Sequence, residues 1–407
     1  MCRKVLAILV AIIAIFTGLI WYNVYLPVSP KFKGDEKLIP ILFGVNRLLG
    51  QIFGDKLGLS KKYEVYRSFF SIITETDWLF TSETKAGVTI EDSVISGVPV
   101  KIFRPVDKEG EDSLHPALIY FHGGGLAMGS VNWTCYVQLC IMFAKDTKSV
   151  VISVEYRLLP EHPFPTQFDD GYLVVNTVVN EPSKYGIIKD KVALAGDSAG
   201  GLLTAAISNE FAKQNRSSNL VGQILIYPWL QIIDILCLPS YHQNKQGFQM
   251  DEKETAYFMS LVAMGSDKMY QEYIVGNVTK YFTKTQYQKY LQIPKTCDVL
   301  TENTNENINL PSEFVSMVTD PRLSPLLEEN LEGCPATMLV IPEYDILASE
   351  AFLYSKRLEE AGVPVSTKIY KACHAFLFLL PIPYVNTTIA RQGMNDMVNF
   401  LNSVFYT

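Results

Sequence analysis

Ser198 lies in Gly196-Asp-Ser-Ala-Gly-Gly201, directly after the short apolar run Val192–Ala195. A serine that ends a strand and opens a helix sits on a sharp turn, and glycine two residues before and two after leaves room for it. Its hydroxyl is then exposed at a helix N-terminus, where it can act as a nucleophile in acyl transfer. That chemistry also needs a base, a group that orients the base, and N–H donors for a developing oxyanion. The donors have a candidate in His122-Gly-Gly-Gly125, which follows the apolar run Ala117–Phe121. Backbone amides approach an oxyanion only where no side chain intervenes, so Gly123, Gly124 and the amide of Ala199 are the expected hole. His122, Gly125, Gly196 and Gly200 are expected to support the loop and the turn.

Five histidines are available as the base. His115 precedes a strand and should lie at the wrong end of the sheet, His242 falls in a presumed lid, and His162 is held between Glu161 and Pro163. His122 opens the glycine loop and is better explained as holding its shape. His374 follows the last apolar run, completing a Ser, Asp, His order. Asp345 follows the run Thr337–Ile341 and is the candidate to orient His374; Glu343, two residues earlier, is its rival.

These residues must be carried by elements that end near one another. Six short apolar runs, Ala117–Phe121, Val150–Val154, Val192–Ala195, Gln223–Tyr227, Thr337–Ile341 and Val365–Tyr370, are mostly separated by helical stretches. This is the pattern of an α/β protein with a mostly parallel sheet covered on both faces, whose ligands bind beyond the carboxyl ends of the strands. Gly87–Glu91 and Val98–Phe103 suit an antiparallel pair at its edge. Residues 31–85 read as amphipathic helix with no evident chemistry, and 26–85 as a helical cap. The interruption at about 231–320, rich in aromatic residues between Asp251 and Tyr290, reads as a helical lid.

With 407 residues, 48% apolar and 19% charged, the chain can bury a large core. Its net charge of -7 and the lack of a basic run argue against a nucleic-acid surface. No fixed-period repeat is visible, and no Cys or His spacing resembles a zinc site, so no metal and no cofactor are expected. Residues 1–4 carry Arg3 and Lys4, and 5–25 form an apolar stretch ending in Trp21, Tyr22 and Tyr25. That is the pattern of a membrane anchor with a cytosolic tail, leaving 26–407 on the lumenal or outer side. A cleaved signal peptide shares the charged start, but no small-x-small site follows the apolar run. Asn132, Asn215, Asn277 and Asn386 open glycosylation sequons usable on that side. Cys2 would be cytosolic, and six further cysteines allow 15 complete pairings or several buried thiols.

His122-Gly-Gly-Gly125, Tyr156-Arg-Leu-Leu-Pro-Glu161 with Phe164-Pro165, and Gly196-Asp-Ser-Ala-Gly-Gly201 together resemble the hormone-sensitive-lipase group of α/β-hydrolases. The N-terminal apolar stretch and Arg322-Leu-Ser-Pro-Leu-Leu327 resemble its arylacetamide deacetylase branch. The resemblance implies the α/β-hydrolase fold and a serine carboxylesterase anchored in the endoplasmic reticulum membrane with a lumenal catalytic domain. It also implies a triad of Ser198, Asp345 and His374, an oxyanion hole of Gly123, Gly124 and Ala199, and small lipophilic ester, amide or lipid ester substrates. Two departures stand out: Ala372-Cys-His-Ala375 where Gly-Phe-His-Gly is common, and Leu126-Ala127 where an aromatic residue commonly follows the glycine loop. The alternative is a ligand-binding or interaction protein that keeps the fold without useful turnover.

Overall fold

The six apolar runs all become strands of one eight-stranded sheet; five are buried on both faces, which calls for apolar side chains throughout, and the last, Val365–Tyr370, is a half-exposed edge strand. The computed structural model describes residues 17, 18, 20, 37–74, 87–106, 113–244, 251–301, 308–380 and 388–406. The strands are β1 (Val88–Ile95), β2 (Val98–Pro105), β3 (His115–Phe121), β4 (Val150–Val154), β5 (Ile187–Asp197), β6 (Leu220–Ile226), β7 (Ala336–Tyr344) and β8 (Val365–Cys373). Their order is β1-β2-β4-β3-β5-β6-β7-β8. The first two form the expected antiparallel edge pair, β2 is antiparallel to β4, and every pair beyond is parallel.

Alternate side chains of the strands feed two cores. Ile119, Ile152, Leu194 and Leu339 pack with Val174 and Val178 of α4 (Thr166–Asn180), Leu203 and Ile207 of α5 (Ala199–Lys213) and Tyr354 of α13 (Ala348–Glu360). Leu118, Val151, Ala193 and Met338 pack with Leu139 and Phe143 of α3 (Thr134–Thr147) and Met394 and Leu401 of α14 (Thr388–Phe405).

Ahead of the sheet stands a helical hairpin. Its first arm is α1 (Leu38–Leu49), extended by a wider π-type segment Gly50–Lys56; its second is α2 (Lys62–Thr74). Between β6 and β7 the chain forms α6 (Pro239–Gln243), α7 (Glu252–Met264), α8 (Tyr270–Ile274), α9 (Asn277–Phe282), α10 (Gln288–Leu291), α11 (Asp298–Thr301) and α12 (Ser312–Val318). Charged contacts tie the hairpin to α7: Arg47 to Asp251 and Lys62 to Glu254, both at 2.8 Å, with Tyr66 donating its hydroxyl proton to Glu254 at 2.5 Å.

Apart from residues 17, 18 and 20, the expected membrane anchor at 5–25 lies outside the described residues, as do the tail at 1–4 and Asn386. Among the described residues no helix is long and apolar enough to cross a membrane.

Of the pairings left open by the cysteine count, one is formed: Cys237 is bridged to Cys297, 60 positions along the chain, with Cα atoms 5.4 Å apart. Cys135, Cys140, Cys334 and Cys373 are buried as thiols. Burial pushes Cys135 and Cys140 well up from the ordinary thiol range and Cys334 up to about 12, so these are packing residues. Closing a loop of this length should stabilise the fold by about 4 kcal/mol in the chain-entropy account. Cys237→Ser is therefore expected to lower the urea midpoint markedly and to make it insensitive to dithiothreitol. A wild-type midpoint that does not respond to the reductant would contradict this.

Candidate active site

β5 ends at Asp197 and α5 begins at Ala199, so Ser198 occupies the single residue between strand and helix, at φ 54° and ψ -118°. The turn is possible because of what its glycines lack. A Cβ on Gly196 would meet the Gly200 carbonyl oxygen at 2.3 Å, and one on Gly200 would meet the Phe121 carbonyl oxygen at 2.0 Å. The helix start is thus pressed against the end of β3, where the glycine loop departs. Left-handed backbone at a buried serine is strain that the surrounding contacts hold in place.

His374 follows β8 directly, and Asp345 follows β7. The His374 Nδ1–H donates to Asp345 Oδ2 at 2.7 Å, which leaves Nε2 to accept from the Ser198 hydroxyl at 3.0 Å. Asp345 Oδ1 is held by the Leu347 N–H at 3.0 Å. All three side chains are buried, and the Tyr227 ring lies 4.7 Å from the imidazole. Glu343, the rival carboxylate, is exposed on β7. The other histidines are elsewhere: His115 starts β3 and donates Nδ1–H to the Lys148 carbonyl, while His162 and His242 are exposed.

His122 is fully buried, donates Nδ1–H to the Gly123 carbonyl at 2.9 Å and stacks on Tyr156 at 4.3 Å between ring centroids. Burial lowers its pKa from the ordinary range, so it is a neutral prop of the loop.

The expected oxyanion donors need a correction. The Gly123 N–H is already taken, donating to Asp197 Oδ1 at 2.8 Å and to the Tyr136 hydroxyl at 2.9 Å. The glycines that line the cavity beside Ser198 are Gly124 and Gly125, at φ 118° and 62°. Of the loop's amides, that of Gly123 is spent, and those of Gly124 and Gly125 remain as candidates beside the cavity. A carboxylate beside the serine captures the first amide, which loop spacing alone does not reveal. Ala199 opens α5, where its N–H has no carbonyl of its own helix to bind.

Asp197 was not among the sequence candidates, nor were the tyrosines that hold it. It accepts from Tyr120 at 2.8 Å and Tyr136 at 3.2 Å, and burial pushes its carboxyl up to about 6 against those bonds and the nearby His374. Its place beside Ser198 in the motif was the available signal. The folded state holds this proton more tightly than the unfolded chain does. The stability it contributes is therefore complete below the ordinary 3.8 and lost as pH rises through about 6. Asp197→Asn removes that titration. Between pH 4 and 7 its stability relative to wild type should rise by up to about 3 kcal/mol in urea unfolding. A difference that stays flat with pH counts against this.

An apolar cavity lies over Ser198, walled by Phe43, Phe70, Trp133, Phe258 and Phe378, with Ala375 beside the base. Phe43 and Phe70 come from the hairpin, so part of the stretch 31–85, read as carrying no chemistry, reaches the site. Phe258 and Thr255 come from α7, within the stretch read as a lid. Leu126 and Ala127, where the aromatic residue is missing after the glycine loop, are fully buried. Ala375 adopts φ 57°, a left-handed conformation that costs a residue with a Cβ roughly 1 kcal/mol. Among the described residues no cluster of His, Cys, Asp and Glu is placed to hold a metal.

A nucleophile, a base, an orienting carboxylate and candidate anion donors around an apolar cavity can perform acyl transfer. A family model described as alpha/beta hydrolase fold, Abhydrolase_3, matches residues 118–306 and 283–378. Neutral cholesterol ester hydrolase 1 of Mus musculus is 30% identical over 96% of this chain and 98% of its own length. Arylacetamide deacetylase of Oryctolagus cuniculus is 29% identical over 85% and 87%. Among solved structures, a thermostable esterase from Pseudomonas putida ECU1011 matches with a TM-score of 0.65 at 19% identity, covering 92% of this chain and 98% of that one. A hyperthermophilic esterase from Pyrobaculum calidifontis matches at 0.62 and 24%, covering 88% and 97%. At these identities the solved structures bear on the fold.

Proposed function

The chain belongs to the Abhydrolase_3 family of the α/β hydrolase fold, in its arylacetamide deacetylase-like branch, and from that premise we propose that it is a serine carboxylesterase or deacetylase acting on small lipophilic or lipid esters and amides. Ser198 attacks the carbonyl while His374 Nε2 takes its proton, and Asp345 stabilises the imidazolium. The amides of Gly124, Gly125 and Ala199 receive the oxyanion. The imidazolium then returns the proton to the leaving alcohol or amine, and water, deprotonated by His374, clears the acyl enzyme. No cofactor takes part. The observation that carries this reading is the hydrogen-bonded relay from Ser198 through His374 to Asp345, opening on an apolar cavity. The aromatic walls favour a lipophilic acyl or aryl group. A hydrolysis panel of acetyl esters, aryl amides and long-chain lipid esters tests it. Failure on the whole panel by folded protein would leave the ligand-binding alternative.

The same reading has the chain anchored by residues 5–25 in the endoplasmic reticulum membrane, with its hydrolase domain in the lumen. The Cys237–Cys297 bridge supports an oxidising compartment. Asn132 and Asn215 are exposed and open to glycosylation, whereas Asn277 is half-buried and donates to Glu272. Protease protection on microsomes tests the topology; digestion of the domain without detergent would reject it.

A further inference from the structure

We infer that the N-terminal hairpin, residues 37–74, braces both loops of the reacting centre, with Arg67 a positioning residue for the glycine loop and Ile39 for the loop that carries the base. The inference rests on the esterase reading above.

Arg67 lies on α2 and does not line the cavity, yet all its bonds go to the segments that shape the glycine loop. Its Nε–H donates to the carbonyl of Ala127 and its Nη2–H to that of Leu159. The guanidinium then grips Glu161 through two oxygens at 2.8 and 2.9 Å, and the Tyr63 ring lies 4.9 Å from its carbon. Ala127 belongs to the turn that closes the loop, since the N–H groups of Ala127 and Met128 both return to the Gly124 carbonyl, at 3.1 and 2.9 Å. The Leu159 N–H donates to the Leu126 carbonyl at 2.9 Å, so the second segment is laced to the first. One planar fork thus fixes two carbonyls and a carboxylate, a geometry that lysine cannot reproduce. The orientation of the Gly124 and Gly125 amides depends on that turn.

The other side of the hairpin reaches His374. Cys373 and Ala375, its two neighbours in sequence, are buried in one cluster with Ile39 of α1 and Leu379, and Phe43 packs against it. Ala375 holds its left-handed conformation within this cluster. The hairpin cannot swing freely either, because Arg47 and Lys62 bind it to α7. Hydrogen-bond donors act on an oxyanion at full strength only when already in place, so a brace of this kind acts on turnover more than on binding.

The test uses the full chain, with active sites titrated by a fluorophosphonate and turnover of p-nitrophenyl butyrate expressed per titrated site. Arg67→Met is expected to lower kcat about 10- to 100-fold, short of the roughly 100- to 1000-fold that loss of a donor costs, with KM little changed. Binding of a trifluoromethyl ketone, which forms a tetrahedral oxyanion adduct, should weaken by the same factor as kcat/KM. Arg67→Lys should fall between. Ile39→Ala should lower kcat and displace the acid limb of the kcat/KM profile, which Arg67→Met leaves in place. Variants equal to wild type per titrated site, a loss explained by fewer titratable sites, or an effect confined to KM each overturn the inference. A reactive wild type with unaffected variants removes this inference alone; an unreactive wild-type Ser198 removes the esterase reading and this inference with it.

Discussion

Ser198→Ala is expected to lower kcat by about a million-fold and to abolish covalent labelling by a fluorophosphonate while leaving the fold intact. The serine hydroxyl is bonded to His374 Nε2 at 3.0 Å, and Ser198 is the left-handed residue between β5 and α5. Alanine keeps that backbone with one atom fewer, so the loss falls on chemistry. His374→Ala should cost about as much, and the double variant little more, since base and nucleophile act as a unit. Folded Ser198→Ala protein that still labels, or still turns over at a wild-type rate, would place the nucleophile elsewhere.

Gly200→Ala is expected to damage stability and rate together. The added methyl would sit 2.0 Å from the Phe121 carbonyl oxygen, 2.6 Å from the Phe121 carbonyl carbon and 2.7 Å from the His122 carbonyl oxygen. All three are backbone atoms, so no rotamer change relieves the contact. Either α5 withdraws from the sheet or the end of β3 shifts, at a cost of about 3 kcal/mol. Both movements carry the glycine loop away from Ser198, which should reduce kcat about 100- to 1000-fold, as loss of an oxyanion donor does. Urea unfolding and turnover per titrated site measure the two effects. A variant with wild-type midpoint and wild-type kcat would show that this close approach does not hold the loop.

Five interior strands, β3 to β7, were legible because burial on both faces leaves unbroken apolar runs, the half-exposed edge strand β8 from its short β-branched run, and the antiparallel edge pair because its β-branched runs were short and close. The strand order was not, since it depends on which crossover lies on which side. Ser198 and His374 were legible from motif and order. Asp345 and Glu343 are two residues apart on the same strand exit, and only the side-chain direction separates them. Gly123 and Gly125 are indistinguishable in the sequence; Asp197 and Tyr136, 74 and 13 residues away, decide which amide is spent. The hairpin was read as helix but not as part of the site, because Arg67 meets Ala127 and Leu159 across 60 and 92 residues.

By itself the sequence determined the elements and the reacting groups they carry, since those follow from spacing along the chain: apolar runs, a glycine two residues either side of a serine, a histidine past a strand. The tertiary structure decided the partners: which carboxylate orients His374, which amides remain for an oxyanion, which cysteines join, and which distant helix braces the loops. Spacing specifies a local conformation, but a hydrogen bond between residues far apart forms only when the packed sheet and helices bring donor and acceptor to about 3 Å.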